Sequence, residues 1–321
     1  MAIRKTTIDV ITSALNEEDC LPEFFDRITK VIKIEKSYTF RVIVMDNGSS
    51  DETWEIISQQ SRVNPNFVGI QLSRTFTLDA AFTCGLDHAN ADVAILMTSD
   101  LQDPPEQISN LLRKFEEGFD QVLVRITKRG TVPVARRILS WAFYSIASRM
   151  TDGMLPKSVS DFRLMSNKTY KAINRLRESH RFMRGIGSWV GFKTGVIEME
   201  RPPRFAGESK WLGISFLKVF GQASRSIFAY STLPLMWLSA AGLLISFLTL
   251  LFLAGLIIFW LLGGAKPFAG FASLIALGSL GFSVIMLSIG ILAQYLSLTY
   301  EEVKQRPLYL ITKVSGKLKI H

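Results

Sequence analysis

The sequence predicts an α/β domain, a mainly parallel sheet with helices on both faces, followed by two membrane-crossing helices. Short β-rich runs alternate with helix-like segments in the first half of the 321-residue chain, as in parallel sheets covered by helices. Polar clusters follow these strands, at the edge where such sheets bind ligands. Two long runs, Ser231 to Ala265 and Pro267 to Tyr300, contain no charged residue. Each exceeds the roughly 20 residues that cross a bilayer.

The elements of the soluble part are predicted in strand and helix order. Hydrophobic periodicity and β-branched runs separate strands from helices. Strands are expected over residues 8–13, 40–45, 67–72, 93–97 and 122–124, and helices over 21–34, 53–60 and 77–89. Ser50 or Asp51 is expected to cap the second helix, because short polar side chains accept hydrogen bonds from the first helical amides.

The apolar C-terminal part predicts transmembrane helices at 233–261 and 270–297, joined by a Gly- and Pro-containing hairpin. Lys and Arg crowd both flanks on the side of the soluble domain, whereas the hairpin carries only Lys266. The positive-inside rule therefore places both termini in the cytoplasm. The predicted organisation is a catalytic domain at 1–208, an amphipathic juxtamembrane segment at 209–230, a transmembrane hairpin at 231–299 and a cytoplasmic tail at 300–321. An ordinary amphipathic helix packed on the domain is the alternative for 209–230.

Composition limits the partners. The formal net charge is +9 and no nucleic-acid-binding motif occurs, so an anionic membrane surface and a diphosphate substrate explain the charge better than nucleic acid does. The two cysteines, Cys20 and Cys84, lack metal-site spacing. They are expected to be buried thiols in a cytosolic domain.

The most informative local feature is the pair Asp100 and Gln102, which follows the strand at 93–97 and precedes a Pro-Pro turn. Oxygen donors two residues apart on an extended backbone reach one hard cation from the same side. A metal bound to a diphosphate would be held in this way. The alternative is a solvated strand end. Beside a membrane anchor, the pair suggests an enzyme that delivers a nucleotide-activated group to a lipid.

Seven motifs in order resemble the polyprenyl-phosphate glycosyltransferases of the dolichol-phosphate-mannose-synthase type. These are inverting family 2 enzymes with the GT-A fold, and the chain is most similar to bacterial two-helix members that place glucose or a related sugar on undecaprenyl phosphate. The motifs lie at residues 16–18, 46–51, 85–89, 100–106, 160–165, 204–210 and 300–309. The resemblance covers nearly the whole chain and implies the Rossmann-like GT-A architecture.

The resemblance implies a donor pocket at the ends of the first two strands. Glu17 and the backbone near Ser13 and Leu15 would line the nucleoside pocket, while Asp46 and Asn47 would contact the base and ribose.

The resemblance also implies the residues nearest the chemistry. Asp100 and Gln102 would hold Mg²⁺ or Mn²⁺ across the diphosphate, where the metal neutralises the leaving group. Asp161 would lie closest to the reacting carbon. A phosphate monoester has a second pKa near 6, so the acceptor hardly needs a base and Asp161 is better interpreted as an orienting group or weak base. The structural alternative for Asp161 is a cap or a salt bridge to Arg163.

Three cations match phosphate-binding positions of the family: Arg136, Arg204 and Lys210. Guanidinium forks and a point-charge ammonium suit two clustered anions, one on the donor and one on the lipid.

Four residues of the donor pocket depart from the family pattern. Thr98 stands where an acid is usual, Asn47 where Asp is usual, and Thr75 and Thr77 where Asn and Gly are usual. Because the Asn47 amide both donates and accepts hydrogen bonds, a uridine base is inferred less firmly.

The sequence therefore predicts a metal-dependent hexosyltransferase of the bacterial inner membrane. It would carry a sugar, expected to be glucose, from a nucleotide sugar, expected to be UDP-linked, to polyprenyl phosphate. The product would serve surface-glycan or O-antigen modification. A catalytically impaired scaffold protein is one alternative. A processive polysaccharide synthase is another, although such enzymes need more membrane helices and a Gln-x-x-Arg-Trp motif that Gln222–Ser226 lacks. Resemblance to bacterial relatives implies a homo-oligomer, expected to be a tetramer.

Overall fold

The structure is a computed structural model that describes residues 5–127, 159–206, 233–262 and 270–317. It divides into two compact units. One comprises Met1–Ser215 and Gln305–His321, and the other comprises Phe216–Lys304. The predicted segment at 209–230 and residues 263–269 of the predicted hairpin lie outside the described residues.

The first unit is built on an eight-stranded mixed sheet with the order β7-β5-β6-β4-β1-β2-β3-β8. Its strands are β1 Thr6–Ala14, β2 Tyr38–Asp46, β3 Phe67–Leu72, β4 Val93–Thr98, β5 Gln121–Ile126, β6 Val159–Ser166, β7 Thr194–Met199 and β8 Ile311–Ser315. The four central strands β4, β1, β2 and β3 are parallel to one another. Strand β6 runs antiparallel to β4 and β5, and β8 runs antiparallel to β3.

Helices cover both faces of this sheet, as predicted. The helices of the first unit are α1 Leu21–Ile34, α2 Thr53–Val63, α3 Leu78–Asp87, α4 Gln107–Glu116, α5 Asn167–Arg175 and α6 Met183–Trp189. Alternate residues of β1 point to opposite faces. Val10 packs in one apolar cluster with Phe24 of α1 and Leu111 of α4. On the other face Gly85 of α3 approaches Ile11 so closely that an added Cβ would lie 2.2 Å from the Ile11 Cγ2 atom.

The predicted elements of the first hundred residues are confirmed with small shifts at their ends. Helix α1 and strand β3 have the predicted bounds, and the Asp51 carboxylate accepts a hydrogen bond from the Thr53 amide at the start of α2. Both cysteines are buried and free, as expected.

Strands β6, β7 and β8 were not predicted. The motif at 160–165 lies in β6, where Ser160, Asp161 and Arg163 interrupt the apolar alternation that identifies a strand from sequence. Strand β8 follows a long apolar helix, and its pairing with β3 extends the sheet by one edge strand.

The second unit contains two long apolar helices, α7 Leu233–Leu261 and α8 Phe271–Val303. Each contains a window apolar and long enough to cross a membrane, Leu235–Phe252 and Gly278–Val303. The first prediction of a membrane helix, 233–261, matches α7, whereas α8 continues past residue 297 to Val303. Large apolar side chains such as Phe247 and Leu287 are exposed, which fits a surface that faces lipid rather than water.

Candidate active site

The predicted site residues gather at the carboxyl ends of the central parallel strands. Ser13 of β1 lies beside Thr98 of β4, and the next residue, Ala14, lies beside Asp46 of β2. The Ser99 hydroxyl donates to the Ser13 carbonyl at 3.0 Å and ties the β4 turn to β1. Ligands of open parallel sheets bind at this edge, so the topology brings the predicted donor pocket and metal pair together.

Asp100 and Gln102 lie on a tight turn, not on an extended backbone. The Asp100 Oδ1 atom accepts hydrogen bonds from the Thr98 hydroxyl at 2.7 Å and from the Gln102 amide at 3.1 Å. Between them Leu101 is buried with a φ of 61°, a left-handed conformation that is unfavourable for leucine. The geometric reason given for the pair from sequence is therefore wrong, because a strained turn carries the two residues instead.

Thr98 connects two carboxylates. Its hydroxyl lies 2.9 Å from Asp103 Oδ2 as well as 2.7 Å from Asp100 Oδ1. Asp103 is fully buried, and burial raises its pKa above the ordinary value while Arg201, 3.6 Å away, opposes that shift. An acid at position 98 would place a third carboxylate against these two, so threonine relieves repulsion that the usual residue would cause. Asp103 lies within the motif at 100–106, but nothing in the sequence around it indicates this role.

The donor set at this turn fits Mg²⁺ or Mn²⁺. Asp100 and Gln102 are half-buried, and the hydrogen bonds described at the Asp100 carboxylate use only its Oδ1 atom. Among the described residues no group of three His, Cys, Asp or Glu side chains forms a metal site. Hard cations of this kind are often held by one or two protein oxygens together with substrate phosphates, so a small donor set suits a metal that arrives with a diphosphate.

Asp161 of β6 forms an ion pair with Arg184 of α6. The guanidinium binds both carboxylate oxygens, with Nε 2.8 Å from Oδ1 and Nη2 2.5 Å from Oδ2. Arg163, the partner considered from sequence, instead donates to the Asp161 backbone carbonyl at 3.3 Å. Burial acts to raise the pKa of Asp161, but the Arg184 charge and hydrogen bonds bring it below the ordinary value. Asp161 is therefore an ionised, paired carboxylate. Arg184 was missed from sequence because nothing in its local pattern identifies it.

Glu17 and Arg204, assigned to different ligands from sequence, bind each other. The Arg204 Nη2 atom lies 2.6 and 2.5 Å from the two Glu17 carboxylate oxygens. The Arg204 Nε atom donates to the Ala206 carbonyl, and the Glu17 amide donates to the Thr53 hydroxyl at 2.9 Å. Both side chains are thereby fixed beside the end of β1.

Asn47 is explained by the loop that follows β3. Its side-chain Nδ2 donates to the Phe76 carbonyl and its Oδ1 accepts from the Phe76 amide, both at 2.9 Å. Aspartate has no N–H group for the first of these bonds. Thr77 caps α3 by accepting from the Ala80 amide, and the Thr75 hydroxyl lies 3.5 Å from the Gly48 carbonyl. Asn47, Thr75 and Thr77, which all differ from the family pattern, thus make their contacts within one local region.

Asp46 is fully buried beside Asn47. Its Oδ1 atom accepts from the Ser49 amide at 3.0 Å, and its Oδ2 atom accepts from the Gln71 side chain at 2.9 Å. Leu15 is half-buried just beyond β1. Arg136 and Lys210 lie outside the described residues, so their phosphate-binding roles stay predictions.

Comparison with known proteins gives a consistent result. The family described as Glycosyl transferase family 2 matches residues 9–180. The chain is 36% identical over 311 residues to an uncharacterized glycosyltransferase of Synechocystis, with 96% of each chain covered. It is 34% identical over 306 residues to the SfII prophage-derived bactoprenol glucosyl transferase of Shigella flexneri, covering 95% of this chain and 97% of that protein. A solved glucosyl-3-phosphoglycerate synthase from Mycobacterium tuberculosis covers 70% of this chain and 76% of its own at 17% identity, with a TM-score of 0.48. That structural likeness is too low to bear on function.

Proposed function

The chain belongs to glycosyl transferase family 2, and from this premise we propose that it transfers glucose from UDP-glucose to a polyprenyl phosphate. The observation that carries the proposal is the match to a bactoprenol glucosyl transferase over 95% of this chain. A match of that extent includes the apolar C-terminal part as well as the site. The relative's name states bactoprenol, and this supports a polyprenyl phosphate as the acceptor.

The geometry supports this chemistry. In the reaction an oxygen of the lipid phosphate bonds to C1 of glucose while the bond from C1 to the UDP oxygen breaks, with inversion at C1. A bound Mg²⁺ or Mn²⁺ supplies positive charge against the departing diphosphate. Asp100 and Gln102 are the residues that would hold this ion. Thr98 fixes the Asp100 carboxylate by the 2.7 Å hydrogen bond, so the ligand is pre-oriented.

The remaining polar groups have separate roles in the proposal. Glu17, Asp46 and the backbone at Ser13 and Leu15 define the nucleoside side of the pocket, and Asn47 holds the loop at Phe76 that borders it. Arg204 is proposed to contribute positive charge to the diphosphate, and Arg136 and Lys210 are proposed to bind phosphates. Together these cations counter the charge of two phosphorylated substrates.

We also propose the cellular arrangement. The helices α7 and α8 would place the enzyme as a multi-pass protein in the bacterial inner membrane, with residues 1–208, segment 209–230 and tail 300–321 on the cytoplasmic side. Residues 231–299 would form the hairpin. Assembly as a homo-oligomer such as a tetramer completes the proposal. The glycolipid product would then be available for surface-glycan modification.

The alternatives have less support. The scaffold alternative depended on departures at Asn47, Thr75, Thr77 and Thr98, and each of these has contacts that accommodate the new residue. The processive synthase needs more membrane helices than the two candidates found in the described residues.

The experiment is a donor panel. Purified full-length protein in nanodiscs is mixed with undecaprenyl phosphate, Mg²⁺ or Mn²⁺, and UDP-, GDP- or CDP-linked sugars, and the lipid product is detected by mass spectrometry. We expect a glucosylated lipid phosphate with UDP-glucose. If no donor yields a sugar-linked lipid, the scaffold alternative replaces this proposal.

A further inference from the structure

We infer that Arg184 binds the phosphate of the lipid acceptor, and that Asp161 is a positioning residue that holds Arg184 rather than a base. The inference rests on the proposed function. It assigns a specific residue to acceptor recognition. Of the two roles expected for Asp161 from sequence, orienting group or weak base, it selects the first, and it gives a role to Arg184, which had none.

Two charged side chains hold the backbone next to Arg184 in place. The residue before it, Met183, donates its backbone amide to Asp79 Oδ1 at 2.9 Å and accepts at its carbonyl from Arg163 Nη1 at 3.0 Å. Arg163 is 1% exposed, and an added Cβ at Gly187 would lie 2.4 Å from its Nη1 atom. Burying charged side chains is unfavourable unless their hydrogen bonds compensate. Asp79 and Arg163 are two such side chains, and their hydrogen bonds to Met183 fix the backbone next to Arg184.

The pair also presents its cation to solvent. The Arg184 side chain is 28% exposed and the Asp161 side chain 15%. An arriving phosphate therefore meets the guanidinium more readily than the carboxylate. Asp161 binds the Nε and Nη2 atoms of Arg184. Guanidinium groups suit phosphate because they bind two oxygens at once.

The location matches the proposed reaction. Ser160, next to Asp161 in β6, has its hydroxyl 3.4 Å from Asp103 Oδ1. Asp103 in turn contacts Thr98, which contacts Asp100. Arg201, which lies 3.6 Å from Asp103, also lowers the pKa of Asp161 through its charge, so the Arg184 pair lies near the turn that would hold the metal.

The acceptor's own chemistry makes a base unnecessary. Its second pKa is near 6, so at neutral pH it is mainly a dianion and has no proton to give up. A bare carboxylate beside that dianion would repel it, whereas a guanidinium held by the carboxylate attracts it. Electrostatics therefore favour Arg184 as the group that meets the acceptor.

The first test measures binding of undecaprenyl phosphate, with undecaprenol as the probe that lacks phosphate, to full-length protein in nanodiscs without donor. We expect Arg184→Lys to weaken binding of undecaprenyl phosphate about tenfold, and Arg184→Gln further, because bidentate geometry and then charge are lost. Binding of UDP should stay at the wild-type level, which shows that the site is folded. Arg177→Lys is the matched control, since Arg177 also binds a carboxylate bidentately, at Asp87, outside the site.

The second test separates positioning from base catalysis. Asp161→Asn still accepts one hydrogen bond from Arg184 but cannot take a proton, whereas Asp161→Ala does neither. We expect Asp161→Asn to retain more turnover than Asp161→Ala, and Asp161→Ala to raise the acceptor KM as well as lower kcat. If both variants lose kcat equally with unchanged acceptor KM, Asp161 acts in the chemistry and the inference is overturned.

The outcomes distinguish this inference from the proposed function. Wild-type protein that binds undecaprenyl phosphate through Arg184 but transfers no sugar would leave the inference standing and remove the proposed function. Protein that transfers glucose with unchanged acceptor binding in Arg184→Gln would do the reverse. Wild-type protein that binds undecaprenyl phosphate no better than undecaprenol also overturns the inference.

Discussion

Arg204 binds both carboxylate oxygens of Glu17, although the two residues lie 187 positions apart in the chain. Glu17 follows β1 and Arg204 follows β7. The Glu17 and Arg204 side chains are 8% and 16% exposed, so solvent screens the pair less than a surface salt bridge. The pair thereby fixes the end of β1 to the chain that follows β7.

The Glu17 and Arg204 pair predicts non-additive effects on donor use. Glu17→Gln and Arg204→Lys should each raise the KM for UDP-glucose, because each removes one half of a bonded unit. Residues in direct contact show interaction energies of about 0.5–3 kcal/mol in double-mutant cycles, so the double variant should lose less than the sum. The exposed pair Lys114 and Glu117 supplies the control, and Glu117→Gln should leave KM unchanged. Strict additivity would show that the two residues act separately.

Asp100→Asn should remove the dependence of donor binding on Mg²⁺ or Mn²⁺, because an amide is a much weaker ligand for a hard cation than a carboxylate. The measurement is calorimetric binding of UDP-glucose with and without the metal. Asn110→Ala, an exposed change on α4, is the control. A variant that keeps the full wild-type metal response would remove Asp100 from the metal site.

Thr98 should act through its hydroxyl. Thr98→Ser keeps the hydrogen bonds to Asp100 and Asp103 and should behave as wild type, whereas Thr98→Val should weaken metal affinity about 10- to 100-fold, as loss of supporting hydrogen bonds does at metal sites. Metal titration of donor binding measures both variants. Equal affinities for valine and threonine would show that the hydroxyl has no such role.

Asp79 predicts a pH dependence of stability. Burial, followed by the nearby Asp161 charge, raises the pKa of this carboxyl to about 6. The folded protein therefore binds this proton more tightly than the unfolded chain, so the stability from this group is complete below pH 4 and is lost as pH rises through 6. The wild-type free energy of unfolding should therefore fall between pH 4 and 7 by an amount on the order of 2 kcal/mol that Asp79→Asn does not lose.

Thermal unfolding of wild type and Asp79→Asn across pH 4 to 8 in detergent measures this effect. The asparagine oxygen still accepts the hydrogen bond from Met183, so packing is kept. Parallel curves for the two proteins across the whole range would contradict the assignment.

Tyr309 should stabilise the first unit although it follows α8 in the chain. Its hydroxyl donates to Asp87 Oδ2 at 2.8 Å, and the Ser73 amide donates to the Leu310 carbonyl next to it. Tyr309→Phe should lower the free energy of unfolding by about 1 kcal/mol, as loss of a partly buried hydrogen bond does. Tyr38→Phe is the control, because the Tyr38 hydroxyl binds Glu116 at an exposed position. An equal loss in both variants would deny the tail a specific role.

The sequence alone predicted the parallel half of the sheet, its first three helices and the two apolar helices. These features follow from local patterns, since periodicity and end signals act over a few residues. The antiparallel strand β6 escaped prediction because its polar residues face a site instead of water.

Which charged groups form ion pairs depends on contacts between segments that are distant in the sequence. The Asp161 carboxylate binds Arg184 and not Arg163, which lies only two residues from Asp161 in the chain. Glu17 binds Arg204, and the Asn47 side chain binds the Phe76 backbone. Sequence spacing supplies the charges but not the distances between them. Coulomb energies and hydrogen bonds depend on those distances, which arise only when the sheet brings remote segments to one edge.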